Sequence, residues 1–167
     1  MVKDKYNVLF VCTGNSARSV MAETLANRLG HGRLRAYSAG SHPEGHVHPL
    51  AIQVLEATGL PTDGLRSKSW DEFSAPGAPR MDLIITVCDR AAGEACPHWL
   101  GHPVTAHWSI PDPSAAAGTR EHQLNAFGDA LQMLQQRISL LLSLQPEAWD
   151  RLAIEALPDG GETPSAT

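Results

Sequence analysis

Val8-Leu9-Phe10-Val11-Cys12-Thr13-Gly14-Asn15-Ser16-Ala17-Arg18-Ser19 changes character twice within one short stretch. The apolar run that begins at Tyr6 reads as a buried strand, the small polar residues after it as a loop, and Ser19 to Leu29 as an amphipathic helix. Strand, loop and helix in that order bring Cys12 to the base of a loop that opens into a helix N-terminus. There the unpaired backbone N–H groups and the helix macrodipole favour negative charge. Arg18 adds a planar fork that can hold two oxygens of a tetrahedral anion. Thr13, Gly14, Asn15, Ser16, Ala17, Arg18 and Ser19 therefore form a candidate oxyanion cradle around a candidate nucleophile, Cys12. The same field is expected to hold the Cys12 thiol below the ordinary cysteine range. A plainer reading takes Cys12 as a small hydrophobe at a strand end and Gly-Asn-Ser as ordinary turn residues. The strand before and the helix after favour the chemical reading.

Working outward, further apolar runs at Leu34 to Ser38, Leu83 to Val87 and Val104 to Trp108 alternate with helical patterns at Pro49 to Thr58 and Arg120 to Leu144. That alternation predicts an α/β fold with a parallel sheet flanked by helices. Pro49 suits the first position of its helix and Gly59 its stop. In the last helix Leu124, Phe127, Leu131, Leu134, Ile138 and Leu141 form one stripe, which suits packing on the chain's own core better than a coiled coil. An amphipathic stretch from Ala148 to Leu157 is expected to extend the packing. Residues 158–167 have nothing to bury and are expected to be disordered, so that residues 1–157 form a single catalytic domain.

With 167 residues, one domain is expected. A balance of 13 Lys+Arg against 18 Asp+Glu, net charge -5, argues against nucleic acid or an anionic membrane as partner. The chain opens without an apolar signal region and has no run of membrane-spanning length, so a cytoplasmic protein is expected. Three cysteines without a secretory signal point to reactive thiols and not to a disulfide framework.

The stretch from Val8 to Ser19, with Met21-Ala22-Glu23 behind it, closely resembles the low-molecular-weight protein tyrosine phosphatase superfamily, and within it the arsenate reductases built on that fold. The likeness continues through Tyr37-Ser38-Ala39-Gly40, Ile85-Thr86-Val87-Cys88-Asp89, Glu94-Ala95-Cys96-Pro97 and His107-Trp108-Ser109-Ile110-Pro111-Asp112-Pro113. It implies a three-layer fold with a four-stranded sheet of order 2-1-3-4. It also assigns Cys12 as nucleophile, Cys88 and Cys96 as relay thiols, and Asp112 as the general acid that protonates the departing oxygen. On spacing alone Asp112, held between Pro111 and Pro113, would be a turn residue.

A phosphatase of this kind needs one thiolate; this chain has two cysteines more, bracketing a segment of small residues. Cys12 bound to arsenate can be attacked at sulfur by Cys88, which sends two electrons to arsenic, and Cys96 can then take over the disulfide for an external reductant. The resemblance favours thioredoxin, with glutathione and glutaredoxin as the alternative, because the gap from Cys88 to Cys96 is longer than in thioredoxin-coupled members and Ala17 stands where those often carry a further cysteine. Inert buried or surface thiols are the plain alternative for Cys88 and Cys96. Cys88, Cys96, His98, His102 and His107 also raise a zinc site, against which their scattered spacing argues.

Of the hydroxyls, Ser19 can donate to the Cys12 thiolate, and Ser16 and Thr13 can do likewise or cap the helix. Asn15 is expected in the left-handed turn. Glu23 reads as a solvated helix face, although in related reductases the positions of Asn15, Glu23 and Ser38 bind potassium. No tightly bound cofactor is expected. The reading that results is a monomeric arsenate reductase acting on arsenate or a phosphate-like oxyanion. A tyrosine phosphatase is the runner-up, disfavoured because Ser114-Ala115-Ala116 would leave a phenolic ring without a wall. A non-catalytic oxyanion-binding protein is a third reading, against which Asp112 argues.

Overall fold

The computed structural model describes residues 5–88 and 103–149. Four parallel strands form one sheet in the order β2-β1-β3-β4: β1 Tyr6–Cys12, β2 Leu34–Gly40, β3 Leu83–Thr86 and β4 Val104–His107. The central strand β1 carries Val8, Leu9 and Phe10, all fully buried, so consecutive side chains on opposite faces are both covered. This is the physical meaning of its unbroken apolar run. The sheet order and parallel sense agree with what the resemblance implied.

Strand β2 runs two residues beyond its predicted end because Ala39 and Gly40 continue the register against Val11 and Cys12. Gly40 has a local reason to be glycine: a Cβ there would lie 2.5 Å from the Thr13 carbonyl oxygen and 3.0 Å from Asn15. The end of β2 thus lies against the cysteine loop at a spacing only hydrogen permits. Strand β3 stops at Thr86, after which Val87 N–H donates to the Val11 carbonyl at 2.8 Å.

Helix α1, Arg18–Leu29, begins at the expected place and carries no side-chain cap at Ala17. The two helices α2, Pro49–Ala57, and α3, Arg120–Ser143, are capped, by His48 Nδ1 and Thr119 Oγ1 respectively. Gly59, at φ +78°, closes α2 as its position suggested, with Leu60 N–H returning to the Leu55 carbonyl. The apolar stripe of α3 packs into the domain's own core: Phe127, Leu134, Ile138 and Leu141 are fully buried and Leu124 is partly buried. At roughly 1.5–3 kcal/mol for each large apolar side chain removed from water, this stripe fastens α3 to α1 and α2. Of the stretch after it, Trp149 is buried with its ring edge-on to Tyr6 at 5.2 Å. The remainder, including the predicted tail 158–167, lies outside the described residues, as does Cys96.

Candidate active site

The loop after β1 is held from outside by the segment after β2. N–H groups of Ser41, His42, Glu44 and His48 donate to the carbonyls of Cys12, Thr13, Gly14 and Ser16 at 2.8–3.3 Å. In a trans peptide the next residue's N–H points opposite to the carbonyl. Tying those carbonyls outward therefore turns the N–H groups of Thr13, Gly14, Asn15 and Ala17 toward the other side, where Cys12 lies. One of these contacts is direct, from Asn15 N–H to Cys12 Sγ at 3.2 Å. Asn15 sits at φ 46°, the left-handed turn expected of it.

Each of the three loop hydroxyls has its own partner. Ser19 Oγ lies 2.9 Å from Cys12 Sγ and accepts from Asn15 Nδ2 at 2.7 Å. Thr13 Oγ1 lies 3.5 Å from Cys88 Sγ, and Ser16 Oγ donates to Glu44 Oε2 at 3.3 Å. Only Ser19 supports the nucleophile. The Asn15 amide is itself oriented, because its Oδ1 accepts from Lys68 N–H at 2.8 Å, which leaves Nδ2 for Ser19.

The titration of Cys12 corrects the expectation of a depressed thiol. Burial pushes the thiol up and is the largest effect; the Ser19 hydroxyl and the backbone at Ser19 and Asn15 pull it down, while neighbouring Cys88 pushes it up. The Arg18 guanidinium has partners of its own. Its Nη1 donates to the Ile110 carbonyl at 3.0 Å and its Nη2 lies 3.7 Å from Asp112 Oδ2.

Asp112 combines the two roles weighed for it. Oδ1 accepts from Ser114 N–H and Oγ, capping the short 3-10 turn Pro113–Ala115, while Oδ2 faces Arg18. Cys12 and Cys88 are both buried free thiols. A pocket of about 820 Å³ is lined by Thr13, Gly14, Arg18, His42, Glu44, Cys88, Ser109, Ile110, Pro111 and Asp112, with no Phe, Tyr or Trp among these described residues.

Sequence reasoning missed Lys68 and Glu44. Lys68 is 8% exposed, and its Nζ donates to Ser38 Oγ at 3.2 Å and the Arg66 carbonyl at 3.0 Å, beside Glu23 Oε1 at 3.7 Å. Burial lowers its pKa, opposed by Glu23. Glu23 is therefore no solvated face; it also accepts from Ser38 Oγ. Glu23 and Ser38, proposed with Asn15 for potassium, already meet a cation in this ammonium, so the donor set does not fit a metal ion. Among the described residues no group of three or more His, Cys, Asp and Glu gathers to hold a metal. The zinc candidates Cys96, His98 and His102 lie outside those residues.

Residues 7–151 match the low molecular weight phosphotyrosine protein phosphatase family. The chain belongs to that family. Within this phosphatase family, the arsenate reductase of Bacillus subtilis is 34% identical over 116 residues, 70% of this chain and 80% of that one. The glutaredoxin arsenate reductase of Synechocystis sp. is 29% identical over 81% of this chain and 95% of that one. A solved structure described as an arsenate reductase in the phosphate binding state superposes with a TM-score of 0.67 at 29% identity, covering 83% of this chain and 97% of the other. Membership of the low-molecular-weight phosphatase family thus accounts for the fold and its strand order.

Proposed function

We propose that this phosphatase-family protein reduces arsenate to arsenite. The observation that carries the reading is a second buried thiol, Cys88, in the wall of the pocket that Thr13, Gly14 and Arg18 of the cysteine loop also line, and touching that loop through Thr13. Simple ester hydrolysis has no use for it. Arsenate reductases among the relatives, one of them described as binding phosphate, support the same chemistry.

Cys12 thiolate attacks arsenic, and the departing oxygen leaves as water after taking a proton from Asp112. Arg18 and the inward N–H groups hold the remaining oxygens. Cys88 thiolate then attacks Cys12 Sγ: the S–S bond forms, the S–As bond breaks, and its electron pair reduces arsenic(V) to arsenic(III), released as arsenite. Cys96 thiolate attacks Cys88, frees Cys12 and leaves a Cys88–Cys96 disulfide. An external dithiol, thioredoxin or glutaredoxin, returns the two electrons. The contacts around Lys68 support an internal ammonium in the place considered for potassium. Among the described residues no helix is long and apolar enough to cross a membrane, and we assign a cytoplasmic, monomeric enzyme with no nucleic-acid partner.

The family itself favours one other reading, a tyrosine phosphatase working through a Cys12 phosphoenzyme. The experiment is arsenate-dependent NADPH oxidation coupled to thioredoxin and thioredoxin reductase, run beside the glutathione–glutaredoxin couple and hydrolysis of an aryl phosphate. Turnover with either couple establishes the reductase and names its partner; hydrolysis without arsenate turnover assigns the phosphatase.

A further inference from the structure

An anion pocket bounded by two carboxylates needs an explanation. Arg18 is matched by Asp112 on one side, and on the other the Glu44 side chain lies along Gly14. A Cβ at Gly14 would fall 2.6 Å from Glu44 Oε2 and 3.2 Å from its Cγ, so the side chain lies directly on the loop. Its backbone is fixed beside that loop: Glu44 N–H donates to the Gly14 carbonyl at 2.9 Å. The next N–H, of Gly45, donates to Ser67 Oγ at 3.1 Å, which in turn donates to the same Gly14 carbonyl at 3.1 Å. Oε2 also accepts from Ser16 Oγ. Although Glu44 is exposed to solvent on its outer side, its carboxylate borders the pocket.

We propose that Glu44 selects oxyanions that carry a proton. An ionised carboxylate only accepts hydrogen bonds. A ligand oxygen meeting Glu44 is favourable when it bears a hydrogen and repelled when it is bare. Hydrogen arsenate and hydrogen phosphate keep an O–H at neutral pH; sulfate keeps none and is otherwise of the same shape and charge. Glu44 therefore turns the protonated oxygen toward itself and leaves the bare oxygens for Arg18 and the loop N–H groups. Among the described residues Arg18, His42, Cys88 and Asp112 are the other charged or titratable groups lining this pocket, and the three atoms nearest a Cβ at Gly14 all belong to Glu44. A site built to accept a ligand's hydrogen bond rejects the analogue that lacks the donor far more strongly than a size mismatch would.

The inference rests on reading the loop as an oxyanion cradle, and the test separates the two. Calorimetry on the reduced full-length protein measures the dissociation constants of inorganic phosphate and of sulfate. E44Q offers an amide N–H to the bare sulfate oxygen and still accepts from phosphate. The expected result is a fall of about tenfold in the sulfate-to-phosphate ratio of dissociation constants, the scale of one charge-assisted hydrogen bond at a half-open site. E44D keeps the charge but withdraws the carboxylate, and its ratio is expected to move in the same direction. An unchanged ratio in E44Q, with both anions binding tighter by one factor, or an E44D ratio equal to wild type, would reduce Glu44 to a surface charge and overturn the proposal. Binding of neither anion would overturn the oxyanion reading along with it.

Discussion

Asn15 donates its side-chain amide to Ser19 Oγ at 2.7 Å, so the Ser19 hydroxyl proton is free to point at Cys12 Sγ, 2.9 Å away. When Cys12 is a thiolate it can only accept, and the Ser19 hydroxyl is then the donor to sulfur. Replacing Ser19 with alanine removes a hydrogen bond that favours the thiolate and leaves burial unopposed there. A charge-assisted bond of about 1.5–3 kcal/mol corresponds to about one to two pKa units. S19A should lose about ten- to a hundredfold in the rate of Cys12 alkylation by iodoacetamide at neutral pH; a rate within twofold of wild type would refute the role.

The direction of the Cys12 shift sets the pH profile. Its thiol is raised by burial, so the thiolate fraction grows as pH climbs through a range above that of an ordinary cysteine. Alkylation of C88S, which leaves Cys12 as the buried thiol of the pocket, should therefore reach half its maximum above the value of about 8.5 for a free cysteine. Because Cys88 itself pushes Cys12 upward, the C88S midpoint should still lie below that of Cys12 in the wild-type protein.

Thr13 touches Cys88 and not Cys12, which divides the two halves of the proposed reaction. Thr13→Val keeps the shape and removes the hydroxyl. Arsenate turnover is expected to drop about tenfold, as for one lost hydrogen bond at a reacting sulfur, while aryl phosphate hydrolysis stays within about threefold. C88S should abolish arsenate turnover and spare hydrolysis.

Lys68 and Glu23 form a buried ion pair whose other members are Ser38 and the Arg66 carbonyl. Removing the ammonium strands a carboxylate that is only 20% exposed. Lys68→Met is expected to cost about 2–4 kcal/mol in urea unfolding. Wild-type turnover should be the same in potassium and in sodium salts of equal ionic strength; a requirement for potassium would contradict the internal-cation reading.

Gly40→Ala places a methyl group 2.5 Å from the Thr13 carbonyl oxygen, a backbone atom that cannot swing aside. The loop or the end of β2 must shift, at a cost of about 1–3 kcal/mol. Activity should fall more than stability, since the displaced atoms belong to the cradle; thermal unfolding and turnover measured on one preparation compare the two.

How legible these features were depended on where their causes lie. The strand, loop and helix around Cys12 are local, and the change from continuous apolar residues to a polar loop to helical spacing marked their ends to within a residue. The stripe from Leu124 to Leu141 announced a buried face for the same reason. Cys88 and Asp112 follow the ends of predicted strands, which made convergence at one edge of the sheet possible, but their roles came only from likeness to a family. Lys68, in Arg66-Ser67-Lys68-Ser69, looks like any solvated lysine; its burial comes from packing against Glu23 and Ser38, distant in the chain. The direction of the Cys12 shift was misread because burial of the sulfur, its largest cause, is a tertiary fact.

The bond from Val87 N–H to the Val11 carbonyl is the last tie of β3 to the central strand, and Cys88 follows it. In the proposed relay, the sulfur that changes partners is thus attached one residue past the end of the sheet's ladder. On that proposal the thiol that moves and the scaffold that stays are separate parts of the chain, and oxidation and reduction leave the strand pairing of β1 and β3 intact.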